Sequence, residues 1–490
     1  MRKFLSISLF LITEGKKETE IFQKFCSVFL SFFGCKKSAK INLMQARTQN
    51  SPPTVPTDWI GGHFRSFRKN PTDFLTKLSR LGDVSAFRIG KIPAFLINHP
   101  DLIRDLLITN NHKFIKGRAL QRAKTLLGDG LLTSEGEFHL RQRRMIQPVF
   151  HRAKINEYAE AMIEYGEKMS NEWRDGEVRD IDKEMMRLTL WIVGKTLFSA
   201  NVEDEADEVG RAMTTIVSAF DFLILPFSEY LEKLPLPPLR KVRKARETLD
   251  EIIYKIINER RKSKEDKGDL LSMLLLAQDE ETGGTMTDQQ VRDECLTLFL
   301  AGHETTANAL TWTFYLLSQH PQVEQKFHAE LEEIIAGRPV TPEDYGKLKY
   351  TEAVLAESMR LYPPAWTMGR LAIKEHEFNG FRIAPKSLIL ASQYVMHRDS
   401  RFWENAEDFQ PERWEKQSIK EAGNKFIYFP FSKGVRSCIG EGFAWMEGVL
   451  LLAILGRSWR LNLLPGQRIG LRAMITLRPK YGMKMQLQKR

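Results

Sequence analysis

Of the four cysteines in this 490-residue chain, Cys26, Cys35, Cys295 and Cys438, one stands where a sulfur can do chemistry. Residues 429–442 read FPFSKGVRSCIGEG, a glycine-punctuated loop opening an apolar helix that runs to about Leu455. A cysteine at that junction faces unpaired N–H groups and the positive end of the helix macrodipole. Both favour the thiolate, the form that binds metal. Gly434 and Gly440 would let backbone bend and approach a ligand where a Cβ would clash, and Arg436 would set a guanidinium beside the ligand's anionic groups. The plainer account, a buried inert thiol, is kept for the other three cysteines. No CxxC, HxxxH or HExxH spacing occurs, which removes the usual zinc sites.

A second constellation is Ala301-Gly302-His303-Glu304-Thr305-Thr306. Thr287 followed by Gln290 has capping-box spacing, and no proline intervenes before Pro321. That predicts a helix of about 32 residues, near 48 Å long at 1.5 Å per residue, with this segment at its middle. Glycine inside a helix costs about 1 kcal/mol relative to alanine, and threonine there bonds back to a carbonyl one turn earlier and loosens the helix. Ala301 and Gly302 leave room for a flat ligand and a diatomic molecule. Glu304 and Thr305 offer a carboxylate and a hydroxyl to order water and pass protons. Close helix packing is the plainer account of Gly302 and Thr305. Glu357 and Arg360 stand three apart on one helix face before Pro363-Pro364, a spacing that surface ion pairs often adopt.

Together these residues resemble the cytochrome P450 family. Phe431-x-x-Gly434-x-Arg436-x-Cys438-x-Gly440 matches its haem signature at all five positions, and 301–306 is similar to its oxygen-binding pattern. Glu357-x-x-Arg360 with Arg413 in Gln410-Pro411-Glu412-Arg413-Trp414 resembles its buried Glu-Arg-Arg network, a structural element. The resemblance spans about residues 50–487. It implies haem b held by the Cys438 thiolate, whose electron push favours O–O cleavage, with O2 as co-substrate. Phe431 would pack near the sulfur, Gly434 and Gly440 would shape the loop, Ala301 and Gly302 would face the haem, and Arg436 would pair with a haem propionate. Thr305 would stabilise reduced dioxygen and Glu304 would feed it protons. His303 reads as a packed or solvated histidine. At residues 136–144 the chain departs from the family, with His139 at the usual Trp position and Arg143 at the Arg position of a propionate-binding pair. Arg370 resembles a further propionate partner.

The implied fold is mainly α with minor β: a single-domain P450 fold, a long central helix over the haem, and small sheets near the N-terminal body and the C-terminus. The residues agree. Helical patterns fall at 100–110, 136–147, 152–174, 180–199, 205–220, 239–262, 268–278, 287–319, 321–337 and 350–361, many opening at Asp, Ser, Thr or Pro. Strand-like runs flank Gly90-Lys91 and recur at 380–383, 387–393 and 471–487. Residues 51–490 are expected to be the catalytic domain, with 1–50 as an extension. Its apolar runs are too short for a spanning helix, which needs about 20 residues. A start at Met44, a disordered tail and a membrane-touching segment all remain open for it.

Charge and composition narrow the partners. The formal net charge is +11, and eight Lys/Arg against three Glu fall in the first 43 residues, so the body is only moderately basic. No basic-aromatic stripe argues for nucleic acid. The scattered cysteines fit a reducing compartment and a cytoplasmic protein, with peripheral membrane association possible through the extension. The chain ends soon after Cys438 with no fused reductase, so the resemblance implies a separate electron donor. An acidic ferredoxin or flavodoxin is expected at a basic face formed by Arg141, Arg143, Arg144 and Lys433, on a monomer.

The expected activity is monooxygenation of an apolar or amphipathic substrate, fatty acid being the guess, in a pocket lined by Phe220, Phe222, Leu223, Phe227, Trp366 and Met368. Arg118 is a candidate for a carboxylate end, though a solvated face explains it as well. Two rivals stay open: a peroxide-dependent or rearranging haem-thiolate enzyme, and a non-catalytic haem sensor.

Overall fold

Two runs rich in aromatic and β-branched residues, Val84–Ile89 (β1) and Ile92–Ile97 (β2), pair antiparallel across Gly90-Lys91. The turn favours glycine because Gly90 adopts φ 60. This hairpin edges a five-stranded sheet in the order β1-β2-β8-β5-β3, built with Phe114–Lys116 (β3), Met368–Ala372 (β5) and Leu388–Ala391 (β8). The β2–β8 pair is parallel and the rest antiparallel, so the sheet ties the N-terminal body to the chain that follows Pro363-Pro364. A second sheet joins Val178–Asp180 (β4) to Lys484–Lys489 (β12) and Trp459–Leu463 (β9). Two hairpins complete the β part, His376–Phe378 (β6) with Phe381–Ile383 (β7), and Leu471–Ala473 (β10) with Leu477–Pro479 (β11). The computed structural model describes residues 51–58, 61–199, 206–223, 237–277 and 283–490. The expectations for residues 1–50, and those for the side chains of Phe222, Leu223 and Phe227, lie outside the described residues.

The body is helical: Gly136–Ile146 (α1), Arg152–Glu172 (α2), Ile181–Phe198 (α3), Ala206–Leu223 (α4), Pro237–Ser263 (α5), Asp288–Gln319 (α6), Pro321–Ile335 (α7), Lys349–Leu361 (α8) and Glu441–Ser458 (α9). The capping box at the start of α6 forms in both directions, Gln290 N–H to Thr287 Oγ1 at 3.2 Å and Thr287 N–H to Gln290 Oε1 at 2.8 Å. α6 is buried through most of its 32 residues, packed by α3, α8 and α9. α9 is apolar all round because it too is enclosed: Leu450 through Leu455 have no exposed surface. The helix expected at 100–110 is α-helical only over Pro100–Arg104 and widens into a π turn over Asp105–Thr109. Short helices at Pro71–Ser79 and Arg118–Leu127 add to the expected set.

Candidate active site

The cysteine loop owes its path to one glycine. Gly434 takes φ 76, and a Cβ there would sit 2.3 Å from the Leu107 carbonyl oxygen. Any side chain would therefore displace the loop from the neighbouring turn. Gly440 is different: a Cβ would meet the Phe150 ring at an ordinary 3.6 Å, so nothing in the protein requires a glycine there. The Cys438 N–H donates to the Phe431 carbonyl at 2.9 Å, closing the loop, and the Phe431 ring lies 5.8 Å from that of Trp445. The Cys438 sulfur keeps accessible surface although protein surrounds it, so it opens onto an internal hollow.

Burial pushes the Cys438 thiol up to about 11, outweighing the Gly440 N–H and the Arg143 charge that pull it down. Coordination to a metal cation would ionise the sulfur, since a coordinating thiol is deprotonated outright, so the expected thiolate belongs to the metal-bound state.

On α6 the structure separates two residues that the sequence had grouped. Ala301 is exposed inside a run of buried residues, so that face of α6 also looks into a hollow. Gly302 turns toward α3, where a Cβ would come 2.9 Å from Val193 Cγ2. Its smallness serves helix packing. Thr305 Oγ1 donates to the Ala301 carbonyl at 2.7 Å, the back-bond expected of a mid-helix threonine. The Glu304 carboxyl lies on another side of the helix, buried, accepting from Thr476 Oγ1 at 2.5 Å with Arg478 Nη1 3.9 Å away. Burial raises its pKa, and Thr476 and Arg478 offset part of that rise. His303 is buried, and desolvation followed by the Arg478 charge lowers it to about 3, so it stays neutral.

Around the cysteine loop the structure gathers cations from four elements. Antiparallel pairing sets Lys116 of β3 directly opposite Arg370 of β5, an arrangement that is destabilising for like charges. Arg436 binds the Ser134 carbonyl at 2.8 Å and the Glu135 carboxylate. Arg143 gives one N–H to the Ser437 carbonyl at 2.7 Å and another to its hydroxyl at 3.3 Å. Lys116 bonds the Leu131 carbonyl at 2.9 Å and also that of Leu132. Every one of these groups is held below its ordinary pKa: Lys116 near 7 by burial and Arg436, Arg370 near 10 by burial and Arg436, His139 near 3 by burial and then Arg436, Lys116 and Arg143. The nearby carboxyls do not balance them, since Glu135 is one charge and burial lifts Glu294 to about 8. A ligand with two carboxylates fits this rim. Haem is such a ligand, and it also carries a metal that the exposed Cys438 sulfur would bind and a flat face that the exposed Ala301 would admit. Lys116 was not anticipated; the signal was a lysine inside the strand Phe114–Lys116, where an apolar residue would be ordinary.

Glu357, Arg360 and Arg413 are brought together. Arg360 Nε and Nη2 reach the two Glu357 oxygens at 3.0 and 2.9 Å, and Arg413 Nε reaches Oε1 at 2.8 Å. Trp414 Nε1 and the Gln410 N–H complete the carboxylate's shell at 3.1 Å each. Arg360 then spends its remaining donors on the His397, Ala406 and Asp408 carbonyls at 2.7, 2.6 and 2.9 Å.

A model of the family described as Cytochrome P450 matches residues 51–485. The chain is a cytochrome P450. It is 37% identical to cyclooctatin synthase of Streptomyces melanosporofaciens over 85% of this chain and 91% of that protein. It is 38% identical to cyclooctat-9-en-7-ol 5-monooxygenase of the same organism over 86% and 90%. It is 33% identical to pentalenene oxygenase of Streptomyces avermitilis over 90% and 97%. This P450 is a haem-thiolate monooxygenase that uses O2, draws electrons from a separate redox partner and acts on a hydrophobic substrate. Among the described residues no helix is long and apolar enough to cross a membrane.

Proposed function

We propose that this P450 hydroxylates a carbocyclic terpenoid, and that residues 51–490 are its catalytic domain. The carrying observation is that relatives sharing about a third of the sequence over most of its length are named for cyclooctat-9-en-7-ol and pentalenene. On those names a terpenoid is favoured over the fatty acid guessed from the sequence. Phe220 and Trp366 are packed into core, the latter with its Nε1 donating to the Met474 carbonyl at 2.8 Å, whereas Met368 is half-buried.

Cys438 would hold the haem iron, and Lys116, His139, Arg143, Arg370 and Arg436 would receive its carboxylates. The bound haem supplies dioxygen activation, one oxygen atom entering a substrate C–H bond and the other leaving as water. Ala301 leaves its face of α6 open to substrate, and Thr305 orders water there. Glu304, held by Thr476 and Arg478, stores the proton to be fed to the active site. Glu357, Arg360 and Arg413 clamp the segment after α8 that carries the cysteine loop. Electrons arrive from a ferredoxin or flavodoxin docking by Arg141, Arg144 and Lys433, and the enzyme works as a cytoplasmic monomer.

The test is spectroscopic. Dithionite-reduced protein with carbon monoxide should show the strongly red-shifted thiolate Soret band. Cyclic terpenoid hydrocarbons and alcohols should drive the ferric spin-state shift while straight-chain fatty acids of equal carbon number do not. A shift with fatty acids alone would overturn the substrate assignment.

A further inference from the structure

Glu304 is held by groups that do not belong to its own helix. Thr476 and Arg478 come from the β10–β11 hairpin. Arg478 also faces Asp182 near the start of α3, with Nη2 3.5 Å from Oδ2. One guanidinium thus stands between two buried carboxyls, 3.9 Å from Glu304 and 3.5 Å from Asp182. Asp182 Oδ1 has no hydrogen-bond partner. The remaining charged and titratable groups bearing on the pair are Arg472, Asp180, Lys183 and the neutral His303.

We infer that Arg478 is a positioning residue that sets the acidity of Glu304, with Asp182 competing for it, so that the C-terminal hairpin controls proton delivery to the active site. A guanidinium does not give up its proton, so Arg478 relays none. Its position decides how readily Glu304 gives one up. Close to Glu304 it stabilises the carboxylate left behind; drawn to Asp182 it leaves a desolvated carboxyl that keeps its proton. Hydroxylation consumes two protons with its two electrons for each O2 and substrate C–H, so a donor that releases protons slowly diverts reduced oxygen to peroxide.

This inference rests on the reading of Glu304 as the proton donor, and its test separates the two. The holoenzyme is assayed with its electron donor for product formed per NADPH consumed, peroxide released, solvent isotope effect and the pH dependence of coupling. R478Q, R478K, D182N and E304Q are compared, each first shown to keep the reduced-CO band and the substrate spin shift. Coupling falls on the alkaline side as Glu304 loses its proton. Removing the Arg478 charge raises the Glu304 pKa, so R478Q should move that limb to higher pH, enlarge the isotope effect and lower coupling severalfold at neutral pH. R478K should restore most of the coupling. D182N removes a like charge and frees Arg478, so its limb should move to lower pH. Opposite shifts in the two variants support the inference, and unchanged or same-direction shifts overturn it. Full coupling in E304Q would instead overturn the donor reading itself.

Discussion

Buried carboxyl groups in this P450 state what their surroundings cost. Glu447 of α9 has no exposed surface and neither oxygen finds a hydrogen bond of ordinary geometry. Desolvation lifts it from 4.5 to about 8, with the Thr306 hydroxyl relieving only part. In the unfolded chain it ionises near 4.5, so between these values the native state binds the extra proton. The stability it contributes is whole below pH 4.5 and is lost as pH rises toward 8. E447Q removes the ionisation while keeping the shape. Urea midpoints measured from pH 5 to 8 should decline less steeply in E447Q than in the parent, and parallel declines would show that Glu447 is not what links pH to stability here.

Elements hold the site where no single residue could. The Glu357 carboxylate receives Arg360, Arg413, Trp414 and a backbone N–H, and Arg360 in turn binds three carbonyls from residues 397–408. This joins α8 to the irregular chain that leads into the cysteine loop. Arg360 is fully buried, so Glu357→Ala strands a guanidinium at about 3–5 kcal/mol. The expected outcome is a haem-to-protein ratio far below the parent's after purification, while Thr305→Ala keeps its haem; full haem content in Glu357→Ala would show that the loop holds without the clamp. Elements were legible where period and capping spoke together: α6 ends where Thr287, Gln290 and Pro321 say it should. The cysteine loop was legible through its glycine spacing, although only Gly434 is required by the protein around it. Cross-chain partners were not legible. Lys116 meets Arg370, and Glu304 meets Thr476 and Arg478, through strand register and sheet order, which a linear pattern does not carry. Of the two accounts open for Gly302, close packing is the one the packed α3 and Val193 support, and a linear pattern could not decide it.

At the scale of the whole molecule, net charge and local docking make different demands on electron transfer. A net charge of +11 attracts any acidic partner at long range, but only encounters at the cysteine loop are productive. Beside that loop Arg144 is exposed, and Val435 and Leu140 present apolar surface, 46% and 38% exposed. At the start of α5, which packs against α4 and α6, lies a second basic group: Arg240, Lys241, Arg243 and Lys244 are exposed with no ion-pair partner among the described residues. Reversing one charge at either place changes the net charge equally. If docking by Arg144 governs reduction, Arg144→Glu should slow reduction by an acidic ferredoxin severalfold at low salt and flatten its ionic-strength dependence, whereas Arg240→Glu should leave both nearly unchanged. Stopped-flow reduction of the substrate-bound ferric enzyme under carbon monoxide measures each. Equal slowing in the two variants would mean that the field of the whole protein, and not a contact beside Cys438, sets the encounter.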